Sequence, residues 1–189
     1  TNVTSVENIL ITQVSNATVG LTLADGNFDS TQAGTINAAG LVSALTLDAS
    51  AEDDSGITIT GGIGGDTITG TDAKLSGTTV LGDTIRGGNG ADIIDGSLGA
   101  DTITGGAGAD TFSATSSTVS GATVTTLNAG DSITGGDGSD TLTISNTSAT
   151  AAYGAGISTS SVETISINAV TATTLDAALM PGVTGVTNN

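Results

Sequence analysis

The chain has 189 residues, of which 19 are acidic and two are basic, so its formal net charge at pH 7 is −17. This shortage of Lys and Arg argues against nucleic-acid binding and against attachment to an anionic membrane, and no apolar run is long enough to insert into a membrane. His and Cys are absent, which excludes imidazole or thiolate metal sites, disulfide frameworks and histidine-assisted nucleophiles.

Residues 1–60 show the alternation of apolar and polar residues that is typical of β-strands. Three runs carry this alternation, Val19–Leu23, Ala44–Asp48 and Gly56–Thr60. We expect the segment to form plain rungs of a β-helix that lead into the part of the chain that follows.

The middle of the chain, residues 61–143, contains a nine-residue repeat. Five copies share a glycine-rich beginning and an aspartate at the sixth position: Gly61–Thr69, Gly87–Asp95, Gly96–Thr104, Gly105–Ser113 and Gly135–Thr143. Two half-copies accompany them, Gly82–Arg86 and Gly130–Thr134, and insertions at residues 70–81 and 114–129 interrupt the period. The Ser, Thr and Ala content of the insertions predicts loops or extra strand pairs at the side of a solenoid.

Each copy divides into a turn and a short strand with an apolar residue that is expected to point inward. The inward residues are predicted to be Ile68, Ile85, Ile93 with Ile94, Ile103, Phe112, Ile133 and Leu142. With two copies per coil, equivalent strands stack in parallel and successive strands lie on opposite faces. Since the chain has only two Phe and one Tyr, the core is expected to be narrow. The predicted fold is therefore all-β, a parallel β-helix or β-roll.

Residues 144–189 are expected to form further β-helix rungs and the C-terminal segment of a piece cut from a larger chain. Here Ser161–Ile167 (SVETISI) matches Ser5–Ile11 (SVENILI) near the beginning. The match indicates either a parent protein that alternates such blocks in tandem or a coincidence of low-complexity composition, and the sequence leaves both open.

The repeat offers the oxygen ligands that calcium takes, carboxylates and backbone carbonyls, in sets of about six to eight per ion. Glycines let the turn adopt positive φ and expose its carbonyls, and the aspartate adds a charged oxygen. Counting alternate half-turns predicts two columns of aspartates, Asp83, Asp101 and Asp131 on one edge and Asp66, Asp92, Asp110 and Asp140 on the other. The glycines predicted to ligate with them are Gly61, Gly62, Gly64, Gly87, Gly88, Gly90, Gly96, Gly99, Gly105, Gly106, Gly108, Gly135, Gly136 and Gly138.

Glycine–aspartate clusters can also be plain turns of a polar all-β protein. Five nearly complete copies, three of them contiguous, favour calcium sites over that interpretation. Without ions, stacked carboxylates roughly 5 Å apart would repel one another, so metal binding is expected to be coupled to folding. Asp53 and Asp54 are expected either to cap the first calcium position or to lie in a solvated turn, and Asp72, Asp95 and Asp137 to be exposed. No catalytic residue or organic cofactor is expected.

The copies at Gly61–Thr69, Gly87–Ser113 and Gly135–Thr143 resemble those of the repeats-in-toxin (RTX) family. The resemblance implies a right-handed parallel β-roll that binds calcium and leaves bacteria by type I secretion. It also implies that the sixth-position aspartates ligate through their side chains and the turn glycines through their carbonyls. The half-copies with Asp83 and Asp131 lack the leading Gly-Gly, so their sites are expected to be incomplete, whereas Gly96-Ser97 is a mild departure.

The Ser-, Thr-, Ala- and Gly-rich flanks and the Val-Glu-x-Ile rungs are similar to those of RTX-type surface-layer proteins, which form calcium-dependent two-dimensional lattices around Gram-negative cells. The resemblance implies a structural, non-enzymatic chain that is unfolded at low cytosolic calcium and folds and self-associates at the bacterial cell surface. Anchoring to a cell-surface polysaccharide would then use another part of the parent chain. Two alternatives stay open, a calcium-dependent folding and secretion module of an RTX enzyme (a protease or lipase) and an adhesin repeat.

Overall fold

The computed structural model describes residues 6–12, 16–29, 33–72, 80–119, 122–146, 151–153, 156–169, 173–175 and 180–188. All regular elements of these residues are β-strands, and none of the residues belongs to a helix long and apolar enough to cross a membrane. The strands alternate between two sheets, so the chain winds as a parallel β-solenoid. The all-β solenoid predicted from the nine-residue period is confirmed.

Two parallel sheets form the walls of the solenoid, and each of the three predicted segments contributes strands to them. Sheet A consists, in spatial order, of β1 (Asn8–Leu10), β3 (Gly34–Asn37), β5 (Ile57–Thr60), β7 (Thr84–Asn89), β9 (Thr102–Ala107), β12 (Ser132–Asp137) and β15 (Ser158–Ser160). Sheet B consists of β2 (Val19–Thr22), β4 (Leu45–Asp48), β6 (Thr67–Thr69), β8 (Ile93–Asp95), β10 (Thr111–Val119), β13 (Thr141–Asn146), β16 (Thr164–Ala169) and β18 (Gly185–Asn188). Outside these paths, β11 (Ala122–Thr125) pairs antiparallel with β10, and β14 (Ala151–Tyr153) pairs with β17 (Thr173–Leu175).

Coils of different length keep the same register. In sheet A, Thr84 pairs with Thr102, eighteen residues later, whereas Thr102 pairs with Ser132, thirty residues later. An insertion therefore lengthens the connection without moving the next strand to the other sheet. The second insertion extends β10 and forms β11, which is the extra strand pair predicted for it. Residues 73–79 of the first insertion lie outside the described part of the chain.

Apolar side chains of the strands fill the interior. Aligned positions of successive coils, at most 5% exposed, are Ile36, Ile59, Ile85, Ile103 and Ile133 in sheet A and Leu47, Ile68, Ile94, Phe112, Leu142 and Ile165 in sheet B. Burying each of them stabilises the fold by roughly 1.5–3 kcal/mol. Four strands bury a second apolar side chain, which is Leu45, Ile57, Ala114 or Ile144. The prediction that Ile93 points inward with Ile94 is wrong, because neighbouring residues of a strand face opposite sides and Ile93 is 50% exposed.

Candidate metal centre

The repeats place their turns along the two edges where the sheets meet. Each turn ends in the sixth-position aspartate, directly before the next strand, as Asp92 does before β8 and Asp101 before β9. Because successive strands alternate between sheets, the aspartates alternate between edges. We call those that precede sheet B strands the long column, Asp66, Asp92, Asp110 and Asp140, and those that precede sheet A strands the short column, Asp83, Asp101 and Asp131.

Backbone-to-carboxylate hydrogen bonds connect the members of each column. The N–H of one aspartate donates to Oδ1 of the aspartate in the following coil over 2.7–2.9 Å, from Asp66 to Asp92, Asp92 to Asp110, Asp110 to Asp140, Asp83 to Asp101 and Asp101 to Asp131. All seven residues are buried, with at most 2% of their surface exposed. The two columns predicted from the sequence are therefore present, and both insertions preserve their alternation.

The second carboxylate oxygen divides the seven aspartates into two groups. In Asp92, Asp101, Asp110 and Asp140 the Oδ2 atom is buried, and no donor in the described part of the chain reaches it. In the other three, Oδ2 accepts a backbone N–H, from Gly62 to Asp66 (2.7 Å), from Thr71 to Asp83 (2.6 Å) and from Asn128 to Asp131 (2.6 Å). A buried carboxylate oxygen without a donor is strongly unfavourable unless a cation lies beside it.

The first glycine of a repeat makes room for this oxygen. A Cβ atom on Gly105 would overlap Oδ2 of Asp110 and would also contact the carbonyl oxygen of Gly135 in the next coil, at 2.7 Å. Gly87 lies in the same way between Asp92 and the carbonyl of Gly105. A carboxylate oxygen without a donor and a carbonyl oxygen of the next coil thus lie close together beside the first glycine, and a cation can satisfy both.

The second and fourth residues of the turn stack their carbonyls in register. Gly106 has φ 126° and its Cα lies against the carbonyl oxygen of Gly88, while Gly108, with φ 139°, lies against that of Gly90. A side chain would be strained at these φ values and would displace the stacked carbonyls. Positive φ recurs at the same two positions in Gly88, Gly90, Ser97, Gly99, Gly136 and Gly138. The departure at Ser97 therefore keeps the turn conformation, with φ 66°.

The first copy of the repeat is built differently. Gly62 and Gly64 do not have positive φ, and the N–H of Gly62 occupies the Oδ2 atom of Asp66. The half-copies of Asp83 and Asp131 likewise have both carboxylate oxygens hydrogen-bonded. The structure thus brings Asp92, Asp101, Asp110 and Asp140 into the arrangement with a free acceptor, and metal ligation by the other three stays a prediction.

Burial raises the pKa of the column carboxyl groups. Desolvation is the main cause of the rise to about 9 in Asp101 and to about 7 in Asp92, and neighbouring carboxylates of the same column contribute further. In Asp83 and Asp131 burial raises the pKa to about 6. Burial also raises the pKa of Asp66, Asp110 and Asp140. Without a cation, the folded chain at neutral pH must protonate part of these groups or bury their charge.

Both insertions reach the turn before Asp101. Asp72 of the first insertion accepts the N–H of Leu98 at 3.3 Å, and Asn128 of the second donates to the carbonyl of Ser97 at 3.5 Å. Asp72 and Asp95, both predicted to be exposed, are half-buried because this turn packs over them, and Asp95 accepts the N–H of Ser97 at 3.0 Å. Burial raises its pKa. The short column is therefore enclosed by irregular chain, whereas the long column is formed by regular turns.

Two acidic features lie outside the repeats. Asp25, Asp53 and Asp54 are exposed and bring carboxylate oxygens within 4.8 Å of one another. Glu163 continues the long column, since its Oε2 accepts the N–H of Asp140 at 2.8 Å. The sequence does not mark this position as part of the nine-residue pattern, because the pairing of Ser160 with Thr134 and of Thr164 with Thr141 leaves only three residues in the turn before Thr164 instead of six.

The donor set fits calcium. Carboxylate oxygens and stacked backbone carbonyls are the hard ligands that this ion prefers, and the chain has no His or Cys to favour a softer metal. Asp92, Asp101, Asp110 and Asp140 would hold the ions through Oδ2, with carbonyls of the turn glycines beside them. The ions would supply positive charge at the edges of a chain whose net charge is −17.

Comparison with known families agrees with this chemistry. The sequence model of the RTX calcium-binding nonapeptide repeat matches residues 80–112 and 123–143, in four copies. The chain therefore carries RTX repeats, and calcium is the ion that such repeats bind. The match leaves out residues 61–69, the copy whose turn lacks positive φ. No curated protein and no solved structure matches the chain.

Proposed function

We propose that this chain is a structural segment of a secreted bacterial surface-layer protein, which folds when it binds extracellular calcium and then assembles into a two-dimensional lattice at the cell surface. The observation that carries the calcium-dependent part is the set of four buried Oδ2 atoms without donors, in Asp92, Asp101, Asp110 and Asp140. A buried carboxylate oxygen without a donor destabilises the folded chain, whereas the same oxygen bound to a cation stabilises it.

Calcium binding and folding are coupled because the sites exist only when coils stack. Each site combines oxygens from successive coils, as Oδ2 of Asp110 and the carbonyl of Gly135 show. The unfolded chain lacks this arrangement, so calcium binds the folded state and stabilises it by mass action. At low cytosolic calcium the chain would stay unfolded and available for secretion, and the higher calcium concentration outside the cell would fold it.

The lattice part of the proposal is supported by the resemblance of the flanks. Their Ser-, Thr-, Ala- and Gly-rich composition and Val-Glu-x-Ile rungs are similar to those of RTX-type surface-layer proteins, which form two-dimensional lattices. Exposed apolar side chains, such as Leu10 at 71% and Val186 at 58%, also offer surface against which another chain can pack.

We also propose that the role is structural and not catalytic. The chain has no His or Cys, and the buried column acids accept backbone hydrogen bonds that hold coils together. Anchoring to a cell-surface polysaccharide would fall to another part of the parent chain.

Negative-stain electron microscopy tests the assembly. The purified chain, dialysed from chelator into calcium, is expected to form ordered sheets, and dialysis into magnesium is the control. Calcium-folded protein that stays monomeric would contradict the lattice and would favour the alternative of a secretion module of an RTX enzyme.

A further inference from the structure

The long column does not end with the last repeat. Asp140 is followed in the next coil by Glu163, whose Oε2 accepts the N–H of Asp140 at 2.8 Å, as Oδ1 of Asp140 accepts that of Asp110. The carbonyl of Asp140 in turn accepts the N–H groups of Glu163 and Thr164, at 3.2 and 3.1 Å. Glu163 therefore takes the position in the column that a repeat would give to its sixth-position aspartate.

The turn that presents Glu163 imitates a repeat turn in fewer residues. Thr134 pairs with Ser160 and Thr141 with Thr164, so the three residues 161–163 stand where the preceding coil has the six residues 135–140. Ser161 has φ 50°, and it stands two residues before Glu163 as Gly138, with φ 141°, stands two before Asp140. The extra methylene of glutamate compensates for the shorter backbone and brings its carboxylate to the amide of Asp140.

The carbonyl arrangement of the repeat also continues at this turn. A Cβ on Gly135 would overlap both Oδ2 of Asp140 and the carbonyl oxygen of Ser161, just as a Cβ on Gly105 would meet Oδ2 of Asp110 and the carbonyl of Gly135. Oδ2 of Asp140 is buried and has no donor in the described part of the chain. An unpartnered carboxylate oxygen, a carbonyl oxygen and a second carboxylate thus meet at one place.

We propose that Glu163 is a calcium ligand, which closes the last site of the long column together with Asp140 and the turn of residues 161–163. The proposal rests on calcium binding by the repeats. It extends the metal-binding segment beyond residue 143, where the match to the RTX repeat ends.

A neutral acceptor would be enough to cap the N–H of Asp140, so the charge of Glu163 requires another reason. The carboxylates of Asp140 and Glu163 lie in successive turns of one column, so their charges repel each other unless a cation lies beside them. Calcium removes this repulsion and uses both carboxylates.

The test compares Glu163→Gln with Glu7→Gln in the full chain. Glutamine keeps an acceptor for the N–H of Asp140 but removes the charge, and Glu7 lies in the matching Val-Glu motif with an exposed side chain that is away from both columns. Equilibrium dialysis with radioactive calcium is expected to show that Glu163→Gln loses one ion, or binds it about 10- to 100-fold more weakly, while Glu7→Gln binds as the unmodified chain does.

Thermal unfolding at several calcium concentrations distinguishes a Glu163 that binds calcium from one that only accepts the hydrogen bond of the Asp140 N–H. If Glu163 ligates, the slope of Tm against the logarithm of calcium concentration decreases in Glu163→Gln, because fewer ions are released on unfolding. A cap alone lowers Tm by the same amount at every calcium concentration, and that result would overturn the proposal.

Two further outcomes are distinguishable. If Glu163→Gln does not fold at any calcium concentration, calcium binding is measured on Glu163→Asp instead. Ligation by Glu163 predicts that this variant folds and has one weakened calcium site. Calcium binding equal to that of the unmodified chain would contradict the proposal. If the unmodified chain bound no calcium, the assignment of the repeats as calcium sites would itself be wrong. If the chain bound calcium and Glu163→Gln bound it equally well, only the role of Glu163 would be lost.

Discussion

Replacing Asp101 by asparagine should change the stability of the chain in opposite directions without and with calcium. Asp101 is fully buried, its Oδ1 accepts the N–H of Asp83, and its Oδ2 has no donor among the described residues. Asparagine keeps the acceptor and removes the charge. In chelator the variant should be easier to fold than the unmodified chain, whereas in calcium it should be less stable because it lacks a charged ligand.

The magnitude follows from the pKa of Asp101, which burial raises to about 9. An aspartate in the unfolded chain ionises near pH 4, so folding at neutral pH must add a proton over roughly three pH units, at about 1.4 kcal/mol for each. Asp101→Asn avoids this cost, so it should stabilise the calcium-free fold by up to about 4 kcal/mol.

The assay is folding of the calcium-free chain by trimethylamine N-oxide, an osmolyte that favours burial, followed by circular dichroism. Asp101→Asn should fold at a lower osmolyte concentration than the unmodified chain. Asp137→Asn is the matched control, since it makes the same change of charge at an exposed position of a repeat turn. Urea unfolding in calcium should give the reverse order of stability. If Asp101→Asn and Asp137→Asn folded at the same osmolyte concentration in chelator, the expected cost of protonating Asp101 on folding would be contradicted.

Three other outcomes follow from the same geometry. In chelator, β-structure measured by circular dichroism should be greatest in acid and decline as pH rises from about 4, where aspartates of the unfolded chain ionise, up to the folded pKa values of about 6 in Asp83 and about 9 in Asp101. The fold binds protons that the unfolded chain has lost over this range, so β-structure that increases with pH would contradict the expectation. Gly106→Ala should lower the free energy of unfolding in calcium by at least about 1 kcal/mol and raise the calcium midpoint, since φ is positive there. Gly20→Ala, whose Cβ would meet nothing within 4 Å, should leave both quantities unchanged. Ser97→Gly should raise Tm, by relieving roughly 1 kcal/mol of strain at φ 66°, and an unchanged Tm would show that the turn tolerates serine.

The period of the repeat predicts the fold because the alternation of sheets survives every insertion. Thr58 pairs with Thr84 although the first insertion separates their coils, so the strand after it returns to the expected sheet. Both aspartate columns follow from this alternation alone. The interior positions follow from the pleat, and the error at Ile93 arose where two isoleucines stand together and only one can face inward.

The distinction among the aspartates could not be predicted from the pattern. Asp66 and Asp92 end turns of nearly equal sequence, yet a backbone N–H occupies Oδ2 of Asp66 only. The difference lies in the φ angles of Gly62 and Gly88, and glycine permits both conformations. The place of Glu163 in the long column could not be predicted for a related reason. Its turn is shorter than a repeat turn and its side chain is longer than that of aspartate, so its carboxylate reaches the N–H of Asp140 without the spacing of the repeat.

Far-ultraviolet circular dichroism of the whole chain, first in chelator and then with increasing calcium, is the direct test of calcium-dependent folding, with magnesium as the control. We expect a disordered spectrum in chelator and a cooperative transition to β-structure that calcium produces and magnesium does not. A full β-spectrum in chelator, unchanged by calcium, would mean that the aspartate columns are stable without ions and that calcium does not control folding.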